Sequence, residues 1–241
     1  MRKQSSRLIV LIAGCAALFA ACTPAPVTPT STTTTTTAAA VDCSARGPGV
    51  DLHGCDLRLT NLTSADLTGA DLSGANLGGA GLSQANLTGA KLNGASLFNA
   101  DLTGAILLRA DLSGADLLGA GLSGVRSGQI IGIPTALPGT SIYSWSLISG
   151  YLFGPSANLS GEDLSGVNLT GLSFIYVNLS RANLTGANLT GVSMYQSNLN
   201  GANLSNVDLT DANSFQTDLT GVIWSNTTCP DGVPQSTECA F

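Results

Sequence analysis

From Leu57 onward every fifth residue is leucine, without a break as far as Leu122. Two positions before each of these leucines, from Ala65 to Ala120, stands an alanine. The residue just before each leucine is mostly Asp or Asn; the one after it is often Ser or Thr, and the next is often Gly. Ala70-Asp71-Leu72-Ser73-Gly74 is a typical unit. A helix places apolar residues at a period of about 3.6 and a strand at about 2. A strict five-residue period drifts by about 140° per repeat around a helix and smears leucine over its whole surface. Neither element explains the pattern.

A square coil does. If each pentapeptide is one side of the square, the leucine and the preceding alanine both point inward. Gly or Asn then takes the tight corner. Four sides complete one coil, and coils stack at about 4.8 Å. Leucine packs on leucine along the axis, alanine lets the walls approach, and each coil's backbone pairs with the coils above and below.

A second block repeats the pattern through Leu159, Leu164, Leu169, Phe174, Leu179, Leu184, Leu189, Met194, Leu199, Leu204, Leu209, Ser214 and Leu219. Leu122 and Leu159 are 37 residues apart, so the register slips by two between the blocks. The intervening stretch holds Pro134, Pro138 and Pro155 together with Tyr143, Trp145, Tyr151 and Phe153. It is expected to be irregular, either an enlarged coil or looped-out hairpin, or a projecting loop with those aromatics as partner contacts.

The Ala-(Asp/Asn)-Leu-x-x unit resembles that of the pentapeptide-repeat family, in both blocks. The resemblance implies an all-β fold, a right-handed quadrilateral β-helix. The expectation is one such solenoid, interrupted once and stapled at its ends by disulfides. The family brings no shared catalytic motif.

The N-terminus reads as a targeting segment. Arg2, Lys3 and Arg7 form a basic region and Leu8 to Ala20 an apolar one, as in a secretory signal. Leu18-Phe19-Ala20-Ala21-Cys22 resembles a bacterial lipobox, which makes Cys22 the expected lipidation site. Cys15, after Ile12-Ala13-Gly14, is the alternative, and a plain secretory signal cut near Ala21 is another. Thr23 to Ala40 carry no charge and are dominated by Thr, Pro and Ala, a composition with nothing to bury. The expected layout is a signal at 1–21, a tether at 22–40, a cap with the first repeat block at 41–129, an insertion at 130–156, the second block at 157–225 and a C-terminal cap at 226–241.

The ends of a solenoid need caps. Cys43 and Cys55 lie at the start of the repeats, and Cys229 and Cys239 at the end. Four cysteines allow three pairings. The two ends of a rod are far apart, so the local pairs Cys43–Cys55 and Cys229–Cys239 are expected. The same distance argues against a four-cysteine zinc site.

Little in the sequence points to reaction chemistry. His53 is the only histidine, so no Ser-His-Asp set can be argued. The glycines follow the repeat rather than a phosphate loop. No enzyme activity, cofactor or metal is expected. The columns of residues 20 apart say more. Asn158, Asn178 and Asn198 stack, as do Asn183 and Asn203, and Thr170, Thr190 and Thr210. Ile175, Tyr195 and Phe215 form an outward apolar column and are the candidate partner strip. Phe98 and Leu118 make a shorter version.

Together these features suggest a non-catalytic scaffold or interaction module at the extracytoplasmic face of the cell membrane, held by an N-terminal lipid. Its partner would be an envelope protein or a second copy, and nucleic acid is not expected. The alternative follows from the resemblance: some members of the family are acidic rods that mimic DNA and bind gyrase. Losing residues 1–21 removes Arg2, Lys3 and Arg7 and no acid, which moves the formal charge from −6 to −9. Against mimicry, Lys91 interrupts the column Asp51, Asp71, Asp111, and an exported protein never meets gyrase. Ice or mineral binding would need a broad Thr array, and only one short column is present.

Overall fold

The computed structural model describes residues 40–139 and 144–240. The signal segment, Cys15, Cys22, the tether up to residue 39 and Tyr143 lie outside the described residues. No helix occurs among the described residues, and nearly all regular pairing is by single parallel bridges.

Four bridges open the repeat: Asp51↔Asp71, Asp56↔Asn76, Asn61↔Gly81 and Asp66↔Asn86. Each starts a column that climbs 20 residues per step, as in Asp71↔Lys91 and Lys91↔Asp111. Four columns at five-residue spacing are the four sides of a twenty-residue coil. The first column to lengthen into strands joins β1 (Ile106–Leu108) in parallel to β2 (Arg126–Gly128).

Each side is built the same way. The Leu57 N–H donates upward to Asn76 O at 2.7 Å, and the Asn76 N–H donates downward to Cys55 O at 2.8 Å. The corner is a tight turn in which the Thr60 N–H donates back to Leu57 O at 3.2 Å. Leu59, its third residue, has φ of 56°, the left-handed geometry of a type II turn. Most units place glycine there, because only glycine adopts it without cost. The outward Asp or Asn supports the same turn. Asp66 Oδ1 accepts the Thr68 N–H at 3.1 Å and the Thr68 hydroxyl at 2.6 Å. That local bond is the physical reason for the Asp/Asn-Leu-Ser/Thr pattern.

Inside, the leucines from Leu52 to Leu122 are buried, with the alanines from Ala70 to Ala120 between them. A second buried cluster runs from Tyr151 to Ala212 and ends on Cys229 and Cys239.

The segment at 130–156 is more ordered than its proline content suggests. The ladder runs into it through Asp111↔Ile131 and Asp116↔Ala136. Then β3 (Ser146–Ile148) and β4 (Tyr151–Phe153) form an antiparallel hairpin. Its two-residue turn, Ser149-Gly150, has φ of 50° and 80°, as a tight hairpin turn requires. Ser127 occupies a position where the five-residue rule calls for leucine. Leu152 of the hairpin is buried in the first core, and Ser127 Oγ accepts its N–H at 2.8 Å. Parallel bridging then resumes with Arg126↔Asn158, and the step of 32 instead of 20 accounts for the two-residue slip.

Cys43 pairs with Cys55 and Cys229 with Cys239, with Cα–Cα distances of 5.6 and 5.5 Å. β5 (Thr227–Thr228) and β6 (Pro234–Gln235) form a short antiparallel hairpin after the second block.

Candidate interaction surface

In the column Ile175, Tyr195 and Phe215, the two rings are exposed and in contact. Tyr195 and Phe215 stack with centroids 5.9 Å apart and planes within 11°. The third ring is Tyr176, whose centroid lies 6.1 Å from that of Tyr195 in an edge-on arrangement. Ile175 is half-buried beside it. The rings are 55% (Tyr176), 36% (Tyr195) and 59% (Phe215) exposed. Tyr176 was missed because the corner position is normally glycine; its φ is 59°. The signal was present, in an aromatic residue standing where the repeat calls for glycine. Aromatic stacks hold rings in place, so the three rings form a contiguous, exposed aromatic column.

A second apolar feature lies on the first block. Leu59 and Phe98 flank Gly78 and Gly79 and line an open groove of about 990 Å³. Asp56 and Asp116 lie along the same groove, and Asp56 is held by Arg58 at 2.7 and 2.8 Å.

The insertion offers no projecting aromatics among the described residues. Tyr151 and Phe153 are buried, and the Tyr151 hydroxyl donates to Asp163 O at 3.0 Å. Phe153 stacks on Phe174 inside the second core, with centroids 5.7 Å apart. Trp145 is half-buried, and its indole fills the space that a side chain at Gly154 would need. Packing against the coil wall is the stronger pull on apolar rings.

The polar columns are occupied locally. Asn178 donates to Asn158 Oδ1 at 3.3 Å, but Asn183 donates to Asp163 at 2.9 Å. Most Asn Oδ1 atoms instead accept the N–H two residues on, as Asn198 does from Asn200 at 2.9 Å. Thr170, Thr190 and Thr210 each give their hydroxyl to the preceding Asn or Asp at 2.6 Å. A hydroxyl bound in this way is less available to an external surface. His53 Nδ1 sits 2.6 Å from Asp51 Oδ1. That bond raises the imidazole pKa and lowers that of the carboxylate. Lys91 Nζ lies 3.0 Å from Asp71 Oδ2, so the cation that breaks the acidic column also neutralises part of it. Among the described residues no cluster of His, Cys, Asp or Glu could hold a metal ion.

The family model for pentapeptide repeats matches eight copies, at residues 49–84, 80–119, 95–126, 156–186 and 178–213. These segments span more than half of the chain. Solved structures similar to it include HetL, a pentapeptide repeat protein involved in heterocyst differentiation regulation, from the cyanobacterium Nostoc. The identity is 28%, over 79% of this chain and 76% of that one, with a TM-score of 0.35. A pentapeptide repeat protein from the Arabidopsis thaliana thylakoid lumen is 31% identical over 66% of this chain and 71% of that one, with a TM-score of 0.16. Full-length QnrB1, a plasmid-mediated fluoroquinolone resistance protein, is 20% identical over 76% and 87%, with a TM-score of 0.31. No curated protein matches the chain. The TM-scores are low, so the assignment rests on the repeat match.

Proposed function

The chain belongs to the pentapeptide-repeat family, whose fold is a right-handed β-helix, and on that premise we propose that it is a non-catalytic interaction module held outside the cytoplasm by a lipid on Cys22. In this reading the two repeat blocks form one β-helix, interrupted once and stapled at both ends. The aromatic strip of Tyr176, Tyr195 and Phe215 is its partner surface. The bridge Arg126↔Asn158 and the hydrogen bond from the Gly124 N–H to Ser156 O at 2.8 Å support continuity between the blocks.

The observation that carries the compartment is the pairing of the cysteines. Both pairs beside the repeats lie at bonding distance, and disulfides persist in oxidising compartments rather than in the cytosol. The basic and apolar N-terminal run ending at Cys22 supports the same reading. A Thr-rich tether would hold the folded body clear of the membrane.

The test is the mass and location of the mature protein, beside those of a Cys22→Ala variant. The reading expects a membrane-bound, diacylated chain with two disulfides, and a variant that loses the lipid. A full-length, soluble cytosolic chain with free thiols would overturn it. Protection of gyrase from quinolones would then be the property to measure.

A further inference from the structure

The last coil is matched from above at Leu204, Asn206, Leu209 and Asp211, but along residues 214–221 its upper edge has no backbone partner among the described residues. One coil below, the N–H groups of Met194, Gln196, Leu199 and Gly201 donate upward to Asn213, Phe215, Asp218 and Thr220 at 2.7 to 3.1 Å. The residues 20 further on are Ser214, Gln216, Leu219 and Gly221. Their N–H groups face the place of the next coil, and among the described residues none of the four donates to an acceptor. The C-terminal segment continues the ladder over Asp208, Leu209 and Asp211 through Thr228 and Pro230, then folds back on itself through β5 and β6 and makes no backbone hydrogen bond to these four groups among the described residues. It leaves two grooves along the coil instead. One, of about 530 Å³, lies between Ser214, Phe215 and Gln216 on one side and Pro230, Asp231 and Ala240 on the other. The next, of about 570 Å³, follows residues 217–222 opposite Glu238.

Two further facts narrow what fits there. Phe215 is the last ring of the aromatic stack and lines the first groove. The charge at this end has one sign: after Arg181 the sequence holds Asp208, Asp211, Asp218, Asp231 and Glu238 and no Lys, Arg or His. Asp218, Asp231 and Glu238 line the two grooves.

We propose that this end of the β-helix binds an extended, cationic peptide segment of a partner protein, which adds as the next rung of the ladder. The peptide carbonyls accept from the N–H groups of Ser214, Gln216, Leu219 and Gly221. This is strand addition to an open edge. A bulky apolar side chain of the peptide continues the stack on Phe215, and its Lys or Arg side chains face Asp218, Asp231 and Glu238. The charge argues against a second copy in the same place, since two such ends repel. The proposal rests on the interaction-module reading and names the class of partner.

The probe is a fluorescent twelve-residue peptide of alternating Lys and Val around one central Phe, titrated into the full-length protein by anisotropy. Two control peptides replace Lys with Glu, or place Pro at alternate positions so that no strand can form. The Lys peptide should bind saturably and more weakly as salt rises, while neither control binds. Phe215→Ser should weaken it about tenfold or more. Asp231→Asn with Glu238→Gln should flatten the salt dependence. The circular dichroism spectrum and melting temperature of Phe215→Ser should match those of the wild type, which shows that a loss at Phe215 is local rather than unfolding. Equal binding of the proline peptide, indifference to Phe215→Ser, or no saturable binding would each overturn the proposal. So would a dimer broken by Phe215→Ser, which would place a second copy at this edge. Failure of the peptide beside a lipid-anchored, oxidised wild type would sink only the strand-addition site and leave the broader reading standing.

Discussion

The two repeat blocks share a backbone and differ in what they put inside it. In the first block leucine stacks on leucine and alanine on alanine, buried throughout from Leu67 to Leu117. In the second block two adjacent sides depart. Phe174, Met194 and Ser214 occupy the leucine position of one side in successive coils, and Val177, Ser197 and Thr217 the alanine position of the next. The inner side chain shrinks toward the C-terminal end. Outside it, the first of these sides goes from half-buried Ile175 to the exposed rings of Tyr195 and Phe215. The added hydroxyls are not left idle: Ser197 Oγ donates to Phe174 O at 2.6 Å, and Thr217 Oγ1 to Met194 O at 2.6 Å. The backbone ladder tolerates this variation because its hydrogen bonds run between coils and do not depend on which side chain fills the interior.

The comparison breaks most sharply at the core. Leu92 is fully buried between Leu72 and Leu112 in its column. Leu92→Ala should cost about 3–5 kcal/mol in urea unfolding, because neighbours fixed by the ladder cannot collapse into the cavity. Met194→Ala should cost nearer 2 kcal/mol, since the residue above it is the small Ser214 and flexible methionine adapts to irregular space. Equal costs would show that the second core is packed as tightly as the first.

The disulfides extend the contrast to the ends. Removing either pair, Cys43 with Cys55 or Cys229 with Cys239, should cost roughly 3 kcal/mol by releasing a short closed loop. The C-terminal pair sits on the less uniform core, so its loss should lower the first unfolding step more. Melting curves of the two double-Ser variants, with and without reductant, compare them directly.

A third substitution probes the join. Ser127→Ala leaves the Leu152 N–H without its 2.8 Å acceptor, at a cost of about 1–3 kcal/mol. Ser127→Leu, which restores the five-residue rule, should do worse, because Leu152 already fills that space. A stabilised Ser127→Leu variant would mean that the hairpin is displaceable.

How much of this was legible in the sequence follows from which residues are governed by local rules. The period of Leu57 to Leu122 fixes both inward positions and corner, and the structure follows it residue by residue. The two-residue slip between Leu122 and Leu159 was visible, but its cause was not. That Leu152 substitutes for the missing leucine at Ser127 is a contact over 25 residues, and no period announces it. The aromatic strip was half legible. Tyr195 and Phe215 lie in the column the period defines. Tyr176 reaches the same strip from a corner, with a left-handed backbone that the repeat assigns to glycine. The Asn columns of residues 20 apart were legible and are present as Asn158↔Asn178↔Asn198 and Asn183↔Asn203; of these pairs Asn178 adds a side-chain bond to Asn158, and the Oδ1 atoms also accept the N–H two residues on.

The smallest expected effect is on acid stability, and it separates the blocks by titration. Asp56 and Asp71 have pKa values lowered to about 2. For Asp56 the main cause is the Arg58 guanidinium; for Asp71 it is the Ser73 hydroxyl, followed by Lys91. A carboxylate lowered on folding stabilises fully above its unfolded value, near 3.8, and the contribution is lost as the pH falls through the folded value. The window is therefore about pH 4 down to about 2. In the second block most of the equivalent positions are Asn, as at Asn168, Asn178, Asn188 and Asn203, and these do not titrate. Asp71→Asn should lower the melting temperature slightly at pH 7 and less at pH 2, where the wild-type carboxylate is itself about half protonated. Asp163→Asn should change less, since Asp163 is exposed and held only by the Ser165 turn and Asn183. His53 runs the other way. Its raised pKa adds stability that is complete below about 6.5 and is lost as the pH rises through the folded value. If Asp71→Asn and Asp163→Asn instead lost the same stability over the same pH range, the charge on the two walls would be equivalent and the contrast between the blocks would lie in their cores alone.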